Sequence, residues 1–188
     1  MFWRSFLVVL LLPVASFAAD WQLDPGSRID VDVSWRGAVV TVNFPTIQGE
    51  VTFDEQRPDL ARATIEVAAR DATTGFGPVD ALVRSNGYLA TASYPKITFD
   101  LESLTPTSNS TASVAGQITL RGMTHPQAFD ARVIRYGPAT DAPEVFQAGF
   151  DLTGEIDRTV FGSTAGLPDV PARLPIRVRL LMSSKSPT

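Results

Sequence analysis

Apolar and polar side chains alternate with a period of two through most of this chain. Ile29, Val31, Val33 and Trp35 are separated by Asp30, Asp32 and Ser34. Ile47, Gly49, Val51 and Phe53 alternate with Gln48, Glu50 and Thr52, and Ala63, Ile65 and Val67 with Thr64 and Glu66. The pattern returns at Ile97-Phe99-Leu101, Gly116-Ile118-Leu120, Phe129-Ala131-Val133, Phe146-Ala148-Phe150-Leu152 and Leu174-Ile176-Val178-Leu180-Met182. Successive side chains of a strand point to opposite faces, so this period marks half-buried antiparallel strands. So many strands in one chain predict an all-β protein, either a closed barrel or a sandwich. A closed barrel has one natural place for a ligand, its interior.

One segment departs from the pattern. From Gly77 to Ser93, Val79, Leu82 and Val83 recur at helical spacing, Pro78 suits a first helical turn, and Asn86-Gly87 is a stop signal. This predicts a short helical insert near residues 78–92, either a lid over a ligand or a structural plug at one barrel end. The Gly/Pro/Ser-rich stretches are short and fall where hairpin loops belong; Gly162 to Pro171 is the longest and is expected at a rim.

The N-terminus reads differently. Arg4 precedes an apolar run from Phe6 to Val14, and Ser16-Phe17-Ala18 places small residues at a cleavage position. That is the pattern of a secretory signal peptide over residues 1–18, with one domain over 19–188 and a periplasmic or secreted destination. Removal of Arg4, the sole charge of that segment, makes the formal net charge one unit more negative than −4. The acidic balance argues against a nucleic-acid partner. The chain has no cysteine, so packing and strand pairing must hold it without disulfides.

Candidate chemistry is sparse. His125 is the single histidine, and with no cysteine a zinc site would lack its usual ligands. It is expected in an exposed turn between two strands. Gly162-Ser163-Thr164-Ala165-Gly166 resembles a nucleophile elbow only superficially, because Thr164 holds the centre and Leu167-Pro168 follows. Asp30/Asp32 and Asp151/Glu155 are carboxylate pairs, but Asp30 and Asp32 belong to the polar face of a strand, where solvated acids are expected. No phosphate-cradling glycine loop is present. The expectation is therefore a protein that is not an enzyme and needs no metal or other cofactor. What remains is an apolar interior, including Val31, Val33, Phe44, Phe53, Ile97, Phe99, Ile118, Phe150, Phe161 and Met182. These groups either fill a small barrel or line a tunnel.

Four segments carry a resemblance to a known family. They are Trp21-Gln22-Leu23-Asp24 with Ser27 and Ile29; Tyr94-Pro95-Lys96-Ile97-Thr98-Phe99; Val114 to Pro126; and Ile156-Asp157-Arg158 with Phe161-Gly162. Together they resemble the YceI-like family of exported polyisoprenoid-binding proteins. The resemblance implies a lipocalin-like antiparallel β-barrel whose elongated pocket holds the tail of a quinone or prenyl diphosphate. It implies a carrier or store of isoprenoid lipid, with transient membrane contact. A packed barrel acting as an interaction or stress-response module, with no bound lipid, is the alternative.

Three further expectations follow. Leu82, Tyr88 and Leu89 are the lid candidates. Arg158 and Arg121 either meet a ligand head group at the rim or bind backbone carbonyls structurally. Arg177 and Arg179, two apart in the last strand, lie on its solvent face, and an exposed last strand would pair across a two-fold axis in a homodimer. The resemblance is weakest at the pocket mouth. Asn86-Gly87-Tyr88-Leu89 stands where the family often carries an acidic residue and paired aromatics, and Ser34-Trp35 where many members place a histidine.

Overall fold

The computed structural model describes residues 19–54 and 56–185; the expected signal peptide lies outside them. Ten strands follow in order: β1 (Ala19–Leu23), β2 (Arg28–Trp35), β3 (Ala38–Phe44), β4 (Ile47–Phe53), β5 (Arg62–Ala68), β6 (Lys96–Pro106), β7 (Thr111–Leu120), β8 (Met123–Pro138), β9 (Phe146–Asp157) and β10 (Arg173–Ser184). Among the described residues one α-helix, α1 (Gly77–Arg84), lies between β5 and β6. Among the described residues no helix is long and apolar enough to cross a membrane.

The strands close on themselves. β10 pairs with β1 near its C-terminal end and with β2 further back, while β1 pairs with β4 and β2 with β3. β1 and β2 thus act as one long strand broken at Asp24–Ser27, and β3 and β4 as another broken at Pro45 and Thr46. Antiparallel pairing through β5 to β10 completes a closed eight-stranded, lipocalin-like barrel. Its inward faces are those read from the alternation, except that Val133 is exposed where β8 shifts register; in β7, Val114, Gly116, Ile118 and Leu120 are all buried.

The structure adds to the sequence reading in three places. β3 was not marked by alternation, because Val39 and Val40 are consecutive; Val40 faces inward and Val39 is exposed. β6, β7 and β8 run further than their apolar repeats, leaving a tight turn at Thr107–Ser110. The β7–β8 turn is Arg121-Gly122, both with positive φ, which fits a two-residue hairpin of matching twist.

Two expectations are corrected. His125 lies in β8 opposite Ile118, half-buried, with its ring edge-on to Phe161 at 4.9 Å, rather than in an exposed turn. β10 is no free edge: it pairs with β9 along its length and with β1 and β2 on its other side. Its outward arginines are already paired, Arg177 with Asp32 and Arg179 with Asp151 at 2.7 Å. Edge-to-edge pairing through this strand therefore has no open hydrogen-bonding groups to use.

Glycine matters at two inward positions. A Cβ at Gly116 would stand 2.8 Å from the Phe99 ring, and one at Gly154 2.7 Å from the Phe129 ring. Their absence lets these rings meet edge-to-face at 5.6 Å across the interior.

Candidate ligand-binding cavity

The barrel interior holds a cavity of about 640 Å3. This lies within the range of roughly 300–1,000 Å3 common for small-molecule pockets. Every long strand contributes inward side chains to it. β2 supplies Ile29, Val31, Val33 and Trp35; β3 supplies Val40, Val42 and Phe44. Phe53, Ile97, Phe99, Ile118, Phe150 and Met182 line it from the other strands. Val31, Val33, Ile97 and Phe99 pack against both major apolar clusters of the interior, so the cavity lies between those clusters.

The two ends close differently. At the base, buried Trp21, Ala148 and Met182 pack with Phe53, Tyr136, Phe146 and Phe150. Trp21 also donates from Nε1 to the Phe53 carbonyl at 3.2 Å. At the opposite end, Val79, Leu82 and Val83 of α1, then Tyr88 and Leu89, then Gly166 to Val170, reach into the cavity. The helical segment is thus a cap over the barrel mouth.

Charged side chains hold this cap by its backbone. Arg158 is 4% exposed and donates from Nε to Pro171, from Nη1 to Ser163 and from Nη2 to Val170, each carbonyl at 2.8 Å. Its guanidinium also faces the Tyr88 ring at 5.8 Å. Arg121 donates to the carbonyls of Phe161 (3.0 Å), Asn86 (2.7 Å) and Tyr88 (2.8 Å). Arg84 donates twice to Ala72 O. Asp80 accepts from Thr74 N at 2.6 Å and from the hydroxyls of Thr73 and Thr74. These bonds hold the Asp80 carboxyl below its ordinary value, the Thr74 amide contributing most. Burial pushes the Arg158 guanidinium down, and Tyr88 and Asp157 act the other way.

Of the alternatives for the two arginines, the geometry places both on backbone carbonyls. Arg158 also borders the cavity, and Arg121 does not. Of the expected lining residues, Phe161 alone stays outside it: it is 2% exposed and packs into the core and against His125. The lining from Gly166 to Val170 was invisible to periodicity, because an irregular loop has none.

The candidate carboxylates sit on the outer wall. Asp30 accepts from Asn43 and lies 3.4 Å from Arg28. Hydrogen bonding from Arg177 lowers Asp32, and from Arg179 lowers Asp151. The same pairs raise the two arginines. Glu155 lies 3.6 Å from Arg173. Asp32 and Asp151, lowered by their arginines, are poorly suited to proton transfer near neutrality.

The model of the YceI-like domain matches residues 21–182. A UPF0312 protein of Shewanella sp. (strain ANA-3) is 29% identical over 148 residues, 77% of this chain and 76% of that protein. A UPF0312 protein of Pseudomonas fluorescens is 28% identical over 159 residues, covering 80% and 79%. Among solved structures, BcnA of Burkholderia cenocepacia superposes with a TM-score of 0.76 at 18% identity, over 85% of this chain and 98% of that one. A polyisoprenoid binding domain from Saccharophagus degradans, implicated in plant cell wall breakdown, superposes with a TM-score of 0.67 at 14% identity, over 90% and 99%. At these identities the structural likeness speaks for the barrel fold.

Proposed function

The chain belongs to the YceI-like family, and on that premise we propose that it is an exported binding protein that holds an isoprenoid lipid inside its barrel. The role is carriage or storage without catalysis, in the periplasm, after loss of residues 1–18. The ligand class is a quinone or prenyl diphosphate. The observation that carries this reading is the cavity, which runs from Trp35, Leu82 and Leu167 at the mouth to Phe53, Phe150 and Met182 at the base, with few polar groups along it.

The physics suits a long apolar tail. Burial of apolar surface stabilises a complex by about 25 cal/mol per Å2 without any polar contact. A tail in this cavity would be shielded from water by strand side chains along its length and by Leu89 and Val83 at the cap. A cavity of about 640 Å3 between the inward side chains weighs against the packed-barrel alternative, in which they would leave no such space. The solved domain from Saccharophagus degradans is described as polyisoprenoid binding, which supports the ligand class.

The test is loading. Protein stripped of lipid is titrated with ubiquinone and, separately, with geranylgeranyl diphosphate, beside a Val31→Trp variant that fills the cavity. The reading expects uptake of at least one ligand, and a loss on the order of tenfold in Val31→Trp. Uptake of neither, or equal uptake by the variant, would overturn it.

A further inference from the structure

Helix α1 turns Val79 and Val83 toward the cavity but shows no charge to water on its other side. An amphipathic surface helix buries its apolar stripe and shows charge to solvent. Here both charged side chains of the helix are tied down, Asp80 by Thr73 and Thr74 and Arg84 by the Ala72 carbonyl. The surface that α1 and its lead-in leave exposed is Gly75, Phe76, Gly77, Pro78, Ala81 and Leu82, which carries no charge at all. Phe76 is 62% exposed and Leu82 52%.

This surface continues around the cavity mouth. Trp35, at 48% exposure, and Leu167, at 44%, border the same opening as Leu82. Trp35 precedes the Arg36-Gly37 turn of the β2–β3 hairpin, and Arg36 reaches across to Asp169 at 3.4 Å, joining the hairpin to the 162–171 loop. Single exposed apolar residues need no explanation, but large ones gathered from three separate segments about one opening do.

We propose that this face docks on the surface of a lipid bilayer, with Phe76, Leu82, Trp35 and Leu167 inserted at the headgroup boundary and the cavity mouth held against the membrane. The proposal rests on the reading of the barrel as a lipid carrier, and names where its cargo enters and leaves. Two observations choose a bilayer over a protein. The apolar rim is continuous with an apolar cavity, so a tail passes from one to the other without crossing water. A tryptophan beside an arginine, with Arg36 over the Trp35 ring at 5.7 Å, is the pairing that interfaces favour, the ring at headgroup depth and the cation at phosphate.

The test separates docking from loading. Phe76→Glu with Ala81→Glu places two charges on the docking face at positions that do not line the cavity. Leu60→Glu makes the same change at an exposed leucine elsewhere on the surface. Protein recovered from an exporting host, its N-terminus read by mass, is floated with phosphatidylcholine vesicles bearing brominated chains. Wild type should co-float, with tryptophan fluorescence quenched, and Trp35→Phe should lose the quenching. The double variant should bind vesicles on the order of tenfold more weakly while taking up isoprenoid in solution as before. Leu60→Glu should match wild type. Circular dichroism checks folding, and Phe76→Ser is the milder variant if the double one unfolds.

Several results would overturn the proposal. One is loaded wild type that ignores vesicles; another is a double variant that binds as well as wild type. An equal loss in Leu60→Glu would also do so. Wild type that doubles in mass without vesicles, and returns to monomer in the double variant, would assign the face to a second copy of the chain. Wild type that takes up no isoprenoid fails the carrier reading itself, whatever the vesicles show.

Discussion

The two ends of the barrel are covered by different interactions. The base is shut by side chains: Trp21, Met182, Tyr136, Phe146 and Phe150 fill it by packing. The mouth is capped instead: α1, residues 85–95 and the 162–171 loop lie across it, Val83, Tyr88 and Leu89 reach inward, and Arg158, Arg121 and Asp80 tie the cap by hydrogen bonds. A packed aromatic plug opens only by losing many contacts together. A backbone cap held by a few hydrogen bonds opens once those bonds give way. On the proposed reading, the difference makes the mouth the end through which a ligand passes, and the base the end that holds the barrel in shape.

Four changes would sharpen or break that contrast. Trp21→Ala should have the largest effect on stability, about 3–5 kcal/mol, because it opens a cavity in the plug. Chemical denaturation checks it, and loading measured under folded conditions should change little. Arg158→Met should follow at about 3–4 kcal/mol, since it strands two buried carbonyls and one part-buried one. A melting temperature within a degree or two of wild type, joined to lost ligand, would instead return Arg158 to the head-group role. Leu89→Asp places a charge in the cap and should weaken loading by about tenfold, since a charge in an apolar pocket is disfavoured. Unchanged lipid content would refute the cap as a lid. Arg177→Ala, on the outer wall, should cost less than about 1 kcal/mol, because its partner remains solvated.

Acid should act on both the cap and the outer wall. Hydrogen bonding lowers Asp80, Asp32, Asp151 and Asp157 in the folded chain. A carboxyl lowered on folding stabilises the native state fully above its unfolded value, about pH 4, and progressively less as pH falls through the folded value. Urea midpoints should therefore be flat above about pH 5 and fall below about pH 4. In Asp80→Asn the fall should be shallower, and an unchanged slope would remove Asp80 from the account.

Much of this was legible in the alternation, because a barrel wall writes its inside and outside into successive residues. Val31, Val33, Ile97, Phe99 and Ile118 could be assigned to the interior from period alone. β3 could not, since Val39 is an exposed apolar residue beside the inward Val40. The cap was half legible: Val79, Leu82 and Val83 show helical spacing, but Gly166 to Val170 follow no period. The arginine clamps left no pattern, because their acceptors are carbonyls, which every residue has. Phe161 packs into the core rather than lining the cavity, and this was not legible for a related reason: an aromatic just beyond a strand looks the same in sequence whether it faces a ligand or the core.

The central claim is that the interior holds a lipid. Its most direct test is mass spectrometry of an organic extract of protein purified from its own host under native conditions, beside an extract of an unrelated protein from the same cells. The account predicts one isoprenoid lipid at close to one molecule per barrel. A clean extract from protein shown to be folded would contradict it.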